Sequence, residues 1–321
     1  MKPVDLIEFP PAQMRAFERA RRLEWISVFY IASAALFLYL VMGTSQAMRT
    51  SWLEDMMSLV PPIAFLVCSR VARRAATPKY PYGLHSSVSV GYLTASLALL
   101  AMGGFLLTEA VIKLASGERT TIGTVEIWGM TLWAGWPMLA ALAYTGIPSF
   151  VLGRAKLRTA PVIQDKILYA DAEMNRADWL AEAATAVGVI GTGLGFWWAD
   201  GGAAGLVSME IVRDGARNVR AAVTDLMDET PKKITTPEEL DPLPGDLTRH
   251  LEKLDWVEKV DVRMREEGRV FFGEIFVVPR VDDMSADELI DRLSELAAQA
   301  RAFNWRVHDV CVMPVGRAAL E

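Results

Sequence analysis

Long apolar segments alternate with short polar ones over roughly the first 230 residues of the chain. Each apolar segment holds few charges and approaches the roughly 20 residues that an α-helix needs to cross a hydrocarbon core. Beyond that point charged and apolar residues are mixed, as in a soluble domain. The pattern therefore predicts a polytopic α-helical membrane protein with a soluble tail. The clearest apolar segments are Trp25–Gly43, Trp52–Val71, Ser87–Leu114 and Ile127–Gly153.

Two further segments are weaker as membrane spans. Ile167–Trp198 begins with polar residues, and Gly201–Val223 opens with the small residues GGAAG before several charges. Small residues suit close helix packing in a membrane. We expect six transmembrane helices in preference to four spans plus amphipathic helices, because only six spans place the basic loops and the tail on one side.

Basic residues concentrate in alternate loops, three of which hold three or four Lys and Arg each. The intervening loops hold one or none. The positive-inside rule then predicts cytoplasmic N- and C-termini for a multi-pass protein of the cell's inner membrane. The basic loops are residues 15–22, 70–79 and 154–158, and the poor ones are residues 44–51, 115–122 and 199–202.

The composition narrows the function classes. A mean hydropathy of +0.23 with 22% charged residues is too apolar for an ordinary soluble enzyme. The two cysteines, Cys68 and Cys311, form neither a disulfide framework nor a thiolate metal motif. No Gly-rich phosphate loop, nucleophile motif or basic nucleic-acid patch is present in the sequence, so we expect no enzyme activity, no cofactor and no nucleic-acid partner.

The tail has the pattern of a small α+β domain of about 80 residues. Glu266–Gly268 supplies a hairpin turn between two alternating strands, and Ser285 with Glu288 forms a capping box. The order αββαβ predicts two helices on a three-stranded sheet, which can pair in a dimer. The predicted elements are a helix Asp246–Leu254, strands Val257–Arg265 and Arg269–Pro279, a helix from Ser285 to Ala302, and a strand Arg306–Val315.

These patterns divide the chain into four predicted parts. A polar N-terminal segment precedes the transmembrane domain, and a Thr/Pro-rich linker joins that domain to the αββαβ domain. The parts are residues 1–22, 23–229, 230–244 and 245–321.

A cluster of acids opens the fifth predicted span, where residues 170–182 read ADAEMNRADWLAE. Ionisable groups inside a membrane are costly and usually mark an ion pathway. On a helix, five polar or sulfur-bearing side chains share one face, whereas Glu173 and Arg176 point elsewhere. The shared face carries Asp171, Met174, Asn175, Asp178 and Glu182.

With this architecture, four short motifs resemble those of the cation diffusion facilitator family of divalent-metal/proton antiporters. The resemblance implies six spans, a homodimer and a ferredoxin-like cytoplasmic domain for the tail. It covers nearly the whole chain in the family's order and spacing. The motifs are Tyr80-Pro-Tyr-Gly83, Ala170-Asp-Ala with Asn175-Arg-Ala-Asp178, Trp198-Ala-Asp200, and Asp225-Leu-Met-Asp-Glu229-Thr-Pro231.

The resemblance also implies a transport site between spans two and five. In the family, two Asp one turn apart on span two face a His (or Asp) and an Asp on span five. Aligned without gaps, the span-two positions fall on Glu54 and Ser58 and the span-five positions on Met174 and Asp178. One insertion in the alignment would exchange Glu54 for Asp55, so both acids remain candidate ligands.

The implied ligands are mostly oxygen atoms. Such a set suits Mg²⁺ or Mn²⁺, with Co²⁺ or Fe²⁺ next, better than Zn²⁺, which prefers His and Cys. Pro61 and Pro62 follow Ser58 on span two, and we expect them to kink this span or to free a carbonyl as a ligand. The alternative is that these polar groups only pair with one another. The predicted metal ligands are Glu54, Ser58, Asp171, Met174, Asn175 and Asp178.

The predicted function is export of a divalent cation from the cytoplasm by proton antiport in a homodimer. Buried carboxylates bind either a dication or protons, and alternating access would couple the two fluxes. The residues that differ from those of the family's site favour an alternative function. In that alternative, the protein is a transport-incompetent relative that acts as a regulatory or dimer-partner scaffold. His85, His250 and His308 lack a second ligand at metal spacing and are expected to be structural.

Overall fold

The computed structural model shows a helical bundle followed by a small α+β tail. It describes residues 9–41, 46–116, 124–127, 130–133, 135–196, 198–280 and 284–319. Residues 1–8 of the predicted N-terminal segment, and the predicted loop around Arg119, lie outside these ranges.

Seven helices pack together in the described part of the bundle, with α4 lying along α7 and α5 along α6. Three helical segments there are long and apolar enough to cross a membrane, namely Trp52–Ala72, Ser87–Ser116 and Met138–Ile163. The count of six spans therefore stays a prediction. The helices are α1 (Pro11–Val41), α2 (Gln46–Ser58), α3 (Val60–Ala72), α4 (Ser87–Ser116), α5 (Gly135–Ile163), α6 (Lys166–Gly193) and α7 (Ala199–Asp225).

The first helix crosses a predicted boundary. A polar segment was expected up to residue 22, yet α1 begins at Pro11 and continues without interruption into the apolar stretch. Proline is favoured at the first position of a helix, because its missing N–H has no intrahelical partner there. Phe17 and Ala20 are buried in the core, so the basic segment is packed rather than separate.

The second predicted span is interrupted, as its prolines predicted. Helix α2 ends at Ser58, and Pro61 and Pro62 occupy the first turn of α3. Because proline has no N–H, the carbonyls of Met57 and Ser58 lose the donors four residues ahead.

The predicted helical span Ile127–Gly153 is wrong at its start. Strands β1 (Thr124–Ile127) and β2 (Met130–Trp133) form an antiparallel pair, and α5 begins only at Gly135. A short apolar run does not distinguish a strand from a helix, and the β-branched and aromatic residues here favour the strand.

Close approach of α4 and α7 depends on glycine. A Cβ on Gly103 would lie 2.8 Å from the backbone nitrogen of Val212, and one on Gly215 would lie 2.7 Å from the Cα of Leu100. Backbones this close tolerate no side chain, although these glycines are not those of the GGAAG run for which close packing was expected.

The tail has the predicted αββαβ order. Strand β3 pairs antiparallel with β4, and β4 pairs parallel with β5, so β4 is central. Its first helix begins earlier than expected, at Leu243, and the Ser285 hydroxyl accepts the Glu288 N–H at 3.2 Å as the capping box predicted. The elements are α8 (Leu243–Leu251), β3 (Val257–Glu267), β4 (Val270–Pro279), α9 (Ala286–Phe303) and β5 (Val307–Pro314).

The β3–β4 turn inserts into one end of the bundle, which we call the tail end. Gly268, with φ +74°, donates its N–H to the Ser89 hydroxyl at 3.3 Å. A Cβ on Gly268 would lie 2.6 Å from the carbonyl oxygen of His85. Both the positive φ and the close approach require glycine.

Ion pairs fix this contact on both sides of the turn. The buried Arg269 guanidinium pairs with Asp165 and donates to the Ser69 hydroxyl at 2.5 Å. Lys166, beside Asp165 at the start of α6, places its ammonium 3.0 Å from the Glu266 carboxylate. The tail and the bundle are therefore joined through buried, paired charges.

Candidate functional site

A hydrogen bond joins the two helices that were predicted to carry the site. The Ser58 hydroxyl at the end of α2 donates to Asp178 Oδ1 in α6 at 3.0 Å. Ser58 is buried and Asp178 is partly buried. The structure thus brings together one predicted ligand from each predicted span.

Two more carboxylates lie beside this pair, one turn further from the tail end. Asp55 precedes Ser58 on α2, and Glu182 follows Asp178 on α6. Both act electrostatically on Asp178, and Asp55 acts on Glu182. Asp55 Oδ2 and Glu182 Oε2 are buried and accept no hydrogen bond from the described residues. We call Asp55, Ser58, Asp178 and Glu182 the acidic cluster.

Helices α1 and α5 close the acidic cluster on its other side. The Tyr30 hydroxyl of α1 donates to the Thr145 carbonyl of α5 at 3.1 Å, and Tyr30 lies within electrostatic range of Asp55 and Glu182. A Cβ on Gly146 would lie 2.3 Å from Glu182 Oε2. Glycine therefore leaves the space that the Glu182 carboxylate occupies.

Glu54 interacts most strongly with a different helix. Glu109 of α4 is the charged group that acts on it most strongly, followed by Asp55, Lys113 of α4 and Glu182. Successive side chains on a helix are about 100° apart, so Glu54 and Asp55 face different partners. The structure groups Asp55 rather than Glu54 with Asp178.

Asp171 and Asn175 belong to a separate group nearer the tail end. Asp171 is fully buried, and its Oδ2 lies 2.5 Å from the Lys156 ammonium of α5. Asn175 donates to the Asp171 carbonyl at 2.8 Å and to its Oδ1 at 3.3 Å. Lys156 also lies 3.1 Å from Glu24 Oε2 of α1. Of these two predicted ligands, Asp171 therefore pairs with a lysine and Asn175 bonds to Asp171.

Met174 lies in an apolar environment. Its side chain is fully buried with Leu99 and Met102 of α4 and Ile211 of α7. The predicted single face of α6 is thus divided, because α5, the α4–α7 pair and Ser58 of α2 each contact a different part of it. Periodicity places side chains on a face but does not show which neighbour covers each one.

The described residues contain no group of three or more His, Cys, Asp or Glu side chains arranged to hold a metal ion. The acidic cluster is therefore not closed around an ion in this conformation. The assignment of metal ligands stays a prediction.

Charged residues on the far side of α6 pair with α7, as expected for a helix interface. Arg176 pairs with Glu210, and its Nη1 lies 3.6 Å from Asp214 and 3.6 Å from Glu173. These groups lie apart from the acidic cluster.

Sequence reasoning missed a contact between two histidines. The His85 and His308 rings have centroids 5.1 Å apart, and Phe272 lies against both at 5.8 and 5.4 Å. Burial, followed by the nearby His308 and Arg269, lowers the pKa of His85 to about 4. His85 lies in the loop before α4 and His308 in β5, so only the fold brings them together.

Comparison with known proteins identifies the bundle. The family model of the cation efflux transmembrane domain matches residues 25–227. The uncharacterized transporter YdbO of Bacillus subtilis is 27% identical over 157 residues, which is 49% of this chain and 50% of the relative. The manganese efflux system protein MneS of the same organism is 21% identical over 175 residues, 54% of this chain and 56% of the relative.

The chain thus spans about half the length of the curated relatives it matches. The family model, by contrast, covers the bundle from within α1 to the end of α7 and includes every residue of the acidic cluster. The resemblance found in the sequence motifs is confirmed: the chain belongs to the cation efflux family.

Proposed function

We propose that the protein is a secondary transporter that exports a divalent cation from the cytoplasm in exchange for protons. The observation that carries this proposal is the acidic cluster. Ser58 and Asp178 join α2 to α6 at 3.0 Å, beside two buried carboxylate oxygens that accept no hydrogen bond from the described residues. Carboxylates that act electrostatically on one another favour binding of a cation or of protons.

Oxygen atoms dominate the proposed site. Asp55, Asp178 and Glu182 supply carboxylates, and Ser58 supplies a hydroxyl. The carbonyl of Met57, released by Pro61, adds a neutral oxygen at the same break. Hard cations prefer such ligands, so we rank Mn²⁺ and Mg²⁺ above Co²⁺ and Fe²⁺, and Zn²⁺ last. The name of the relative MneS makes Mn²⁺ the first ion to test.

Proton coupling follows from competition for the same oxygens. A cation that enters must displace protons from the carboxylates, and protons that return must displace the cation. Alternating exposure of the cluster to the two sides would convert this competition into exchange. Three carboxylates and one dication leave one negative charge, which a proton on one of the three acids can neutralise.

We further propose six spans, formed by α1, the α2–α3 pair, α4, α5, α6 and α7, in the inner membrane. The basic segments at residues 15–22 and 154–158 lie within α1 and α5, and that at residues 70–79 includes the end of α3, next to Ser69, which accepts a hydrogen bond from Arg269 of the tail. The positive-inside rule supports a cytoplasmic tail end. The αββαβ order supports a ferredoxin-like tail domain, and an open sheet edge there supports a homodimer.

Transport in proteoliposomes tests the proposal. Protein reconstituted with an imposed pH gradient should take up Mn²⁺, and Asp178→Asn and Asp55→Asn should lower the rate at least tenfold. Glu54→Gln is the matched control on the same turn of α2, and it should retain most of the activity. Equal background rates for wild type and Asp178→Asn with every metal would overturn the proposal.

The rival function is a transport-incompetent scaffold, favoured by the lack of a closed metal-binding group among the described residues. Calorimetry with Mn²⁺ separates the two. A stoichiometric site in wild type that is lost in Asp178→Asn supports transport. Absence of Mn²⁺ binding to folded wild-type protein supports the scaffold.

A further inference from the structure

Three charged side chains from three helices meet inside the bundle. Lys156 Nζ of α5 lies 2.5 Å from Asp171 Oδ2 of α6 and 3.1 Å from Glu24 Oε2 of α1. All three side chains are 0% exposed. We call Glu24, Lys156 and Asp171 the buried triad.

The buried triad does not balance its charges. Two carboxylates and one ammonium sum to one negative charge when all three are ionised. The charged groups that act on Glu24 are Lys156 from α5 and Asp171 from α6. A buried charge without a partner is strongly disfavoured in a low-dielectric interior. The buried triad is neutral only when it holds one additional proton.

The contacts show which acid holds that proton. Asp171 has the shorter contact with the ammonium and also accepts the Asn175 amide at 3.3 Å, and both contacts favour its ionised form. Glu24 Oε2 has the longer contact with the ammonium, 3.1 Å, and Glu24 Oε1 accepts no hydrogen bond from the described residues. Glu24 of α1 and Asp171 of α6 both face the Lys156 ammonium. Two carboxyl groups can share a hydrogen bond only if one of them is protonated.

We propose that the buried triad is a proton-binding site, distinct from the acidic cluster, in which Glu24 carries the proton and Asp171 and Lys156 hold it in place. The proton is bound to a Glu24 oxygen and hydrogen-bonded towards Asp171. On release it passes to water, and the triad is left with one negative charge. That charge is tolerable only in contact with water, so exchange requires α1, α5 and α6 to separate.

Helix α6 connects this site to the acidic cluster. Asp171 and Asp178 are two turns apart, about 10 Å along the helix axis, and Asp171 acts electrostatically on Asp178, as does Asp55 of α2. Movement of α6 that exposes one site therefore alters the other. Coupling of this proton to cation export rests on the proposed function, whereas the proton-binding site itself does not.

Infrared difference spectroscopy of the purified full-length chain at neutral pH tests the proposal. We expect a protonated-carboxyl stretch in wild type that exchanges slowly in D₂O and is absent in Glu24→Gln. Asp171→Asn should also remove the band, because Glu24 then forms a neutral pair with Lys156. Asp178→Asn is the matched control on α6: whatever band its own carboxyl contributes, it should leave the Glu24-dependent component unchanged.

The outcomes separate this proposal from the proposed function. A wild-type spectrum identical to that of folded Glu24→Gln overturns the proton site, even if wild type transports Mn²⁺. A Glu24-dependent band in a protein that moves no metal supports the proton site while the transport proposal fails. A band that disappears in Glu24→Gln but persists in Asp171→Asn contradicts the shared arrangement and leaves Glu24 without its proposed partner.

Discussion

Charge removal at Glu24 and at Lys156 of the buried triad should change stability by very different amounts. Glu24→Gln leaves Asp171 and Lys156 as a neutral pair 2.5 Å apart. Lys156→Met instead leaves two carboxylates facing each other at 0% exposure. The side chains are similar in length within each substitution, so packing changes little and charge dominates.

The magnitudes follow from the burial. Removing one partner of a buried ion pair typically costs about 3–5 kcal/mol, because an uncompensated charge remains. We expect Lys156→Met to lose stability on that scale, reduced by any second proton that the acids take up. Glu24→Gln should change the free energy of unfolding by less than about 1 kcal/mol, since its carboxyl is already neutral and is replaced by a neutral amide.

The difference in free energy of unfolding between Glu24→Gln and Lys156→Met can be measured by unfolding the detergent-solubilised proteins. Circular dichroism against temperature and denaturant follows the unfolding. The double variant Glu24→Gln/Asp171→Asn is a further control, because it strands the ammonium of Lys156 and should be as unstable as Lys156→Met. If Glu24→Gln destabilises the protein as much as Lys156→Met does, Glu24 is ionised in the folded protein and the charge argument is refuted.

Three other predictions concern glycine packing and the loop before α4. Gly268→Ala should cost about 1–2 kcal/mol through its positive φ and loosen the tail, which limited proteolysis would detect; unchanged cleavage contradicts the described contact. Gly146→Ala places a methyl 2.3 Å from Glu182 Oε2 and should weaken Mn²⁺ binding in calorimetry, whereas Gly104→Ala, which meets nothing within 4 Å, should not. Because burial and two neighbouring basic side chains lower the pKa of His85 from 6.5 to about 4, its contribution to stability is complete above pH 6.5 and declines as the pH falls towards 4. Hydrogen exchange of its loop should show that decline in wild type and lose it in His85→Phe; equal pH dependence in both would exclude this imidazole as the cause.

Much of the fold follows from local patterns in the sequence. Apolar runs of helical length predicted the bundle, and alternation with a capping box predicted the tail to within a few residues. Pro61 and Pro62 predicted the interruption of the second span, because the absence of an N–H is a local property. The hairpin at Thr124–Trp133 was missed, since a short apolar run has no period that excludes a strand.

The site was only partly predictable, because it depends on which helices become neighbours. The gap-free alignment with the family's motifs placed Ser58 and Asp178 in the same site, and a hydrogen bond joins them in the structure. Periodicity also put Asp171 on that face, but could not show that Lys156 of α5 reaches it. Lys156 was interpreted as one of several basic loop residues, and nothing local distinguishes a lysine that is buried by tertiary packing.

Simultaneous measurement of Mn²⁺ and proton flux in the same proteoliposomes tests the central claim most directly. A manganese-sensitive and a pH-sensitive dye in the lumen would record both fluxes after Mn²⁺ is added outside. The account predicts that wild type moves Mn²⁺ inwards and protons outwards with proportional rates, and that Asp178→Asn abolishes both. Manganese movement without proton movement would contradict antiport, and equal fluxes in wild type and Asp178→Asn would contradict the acidic cluster as the transport site.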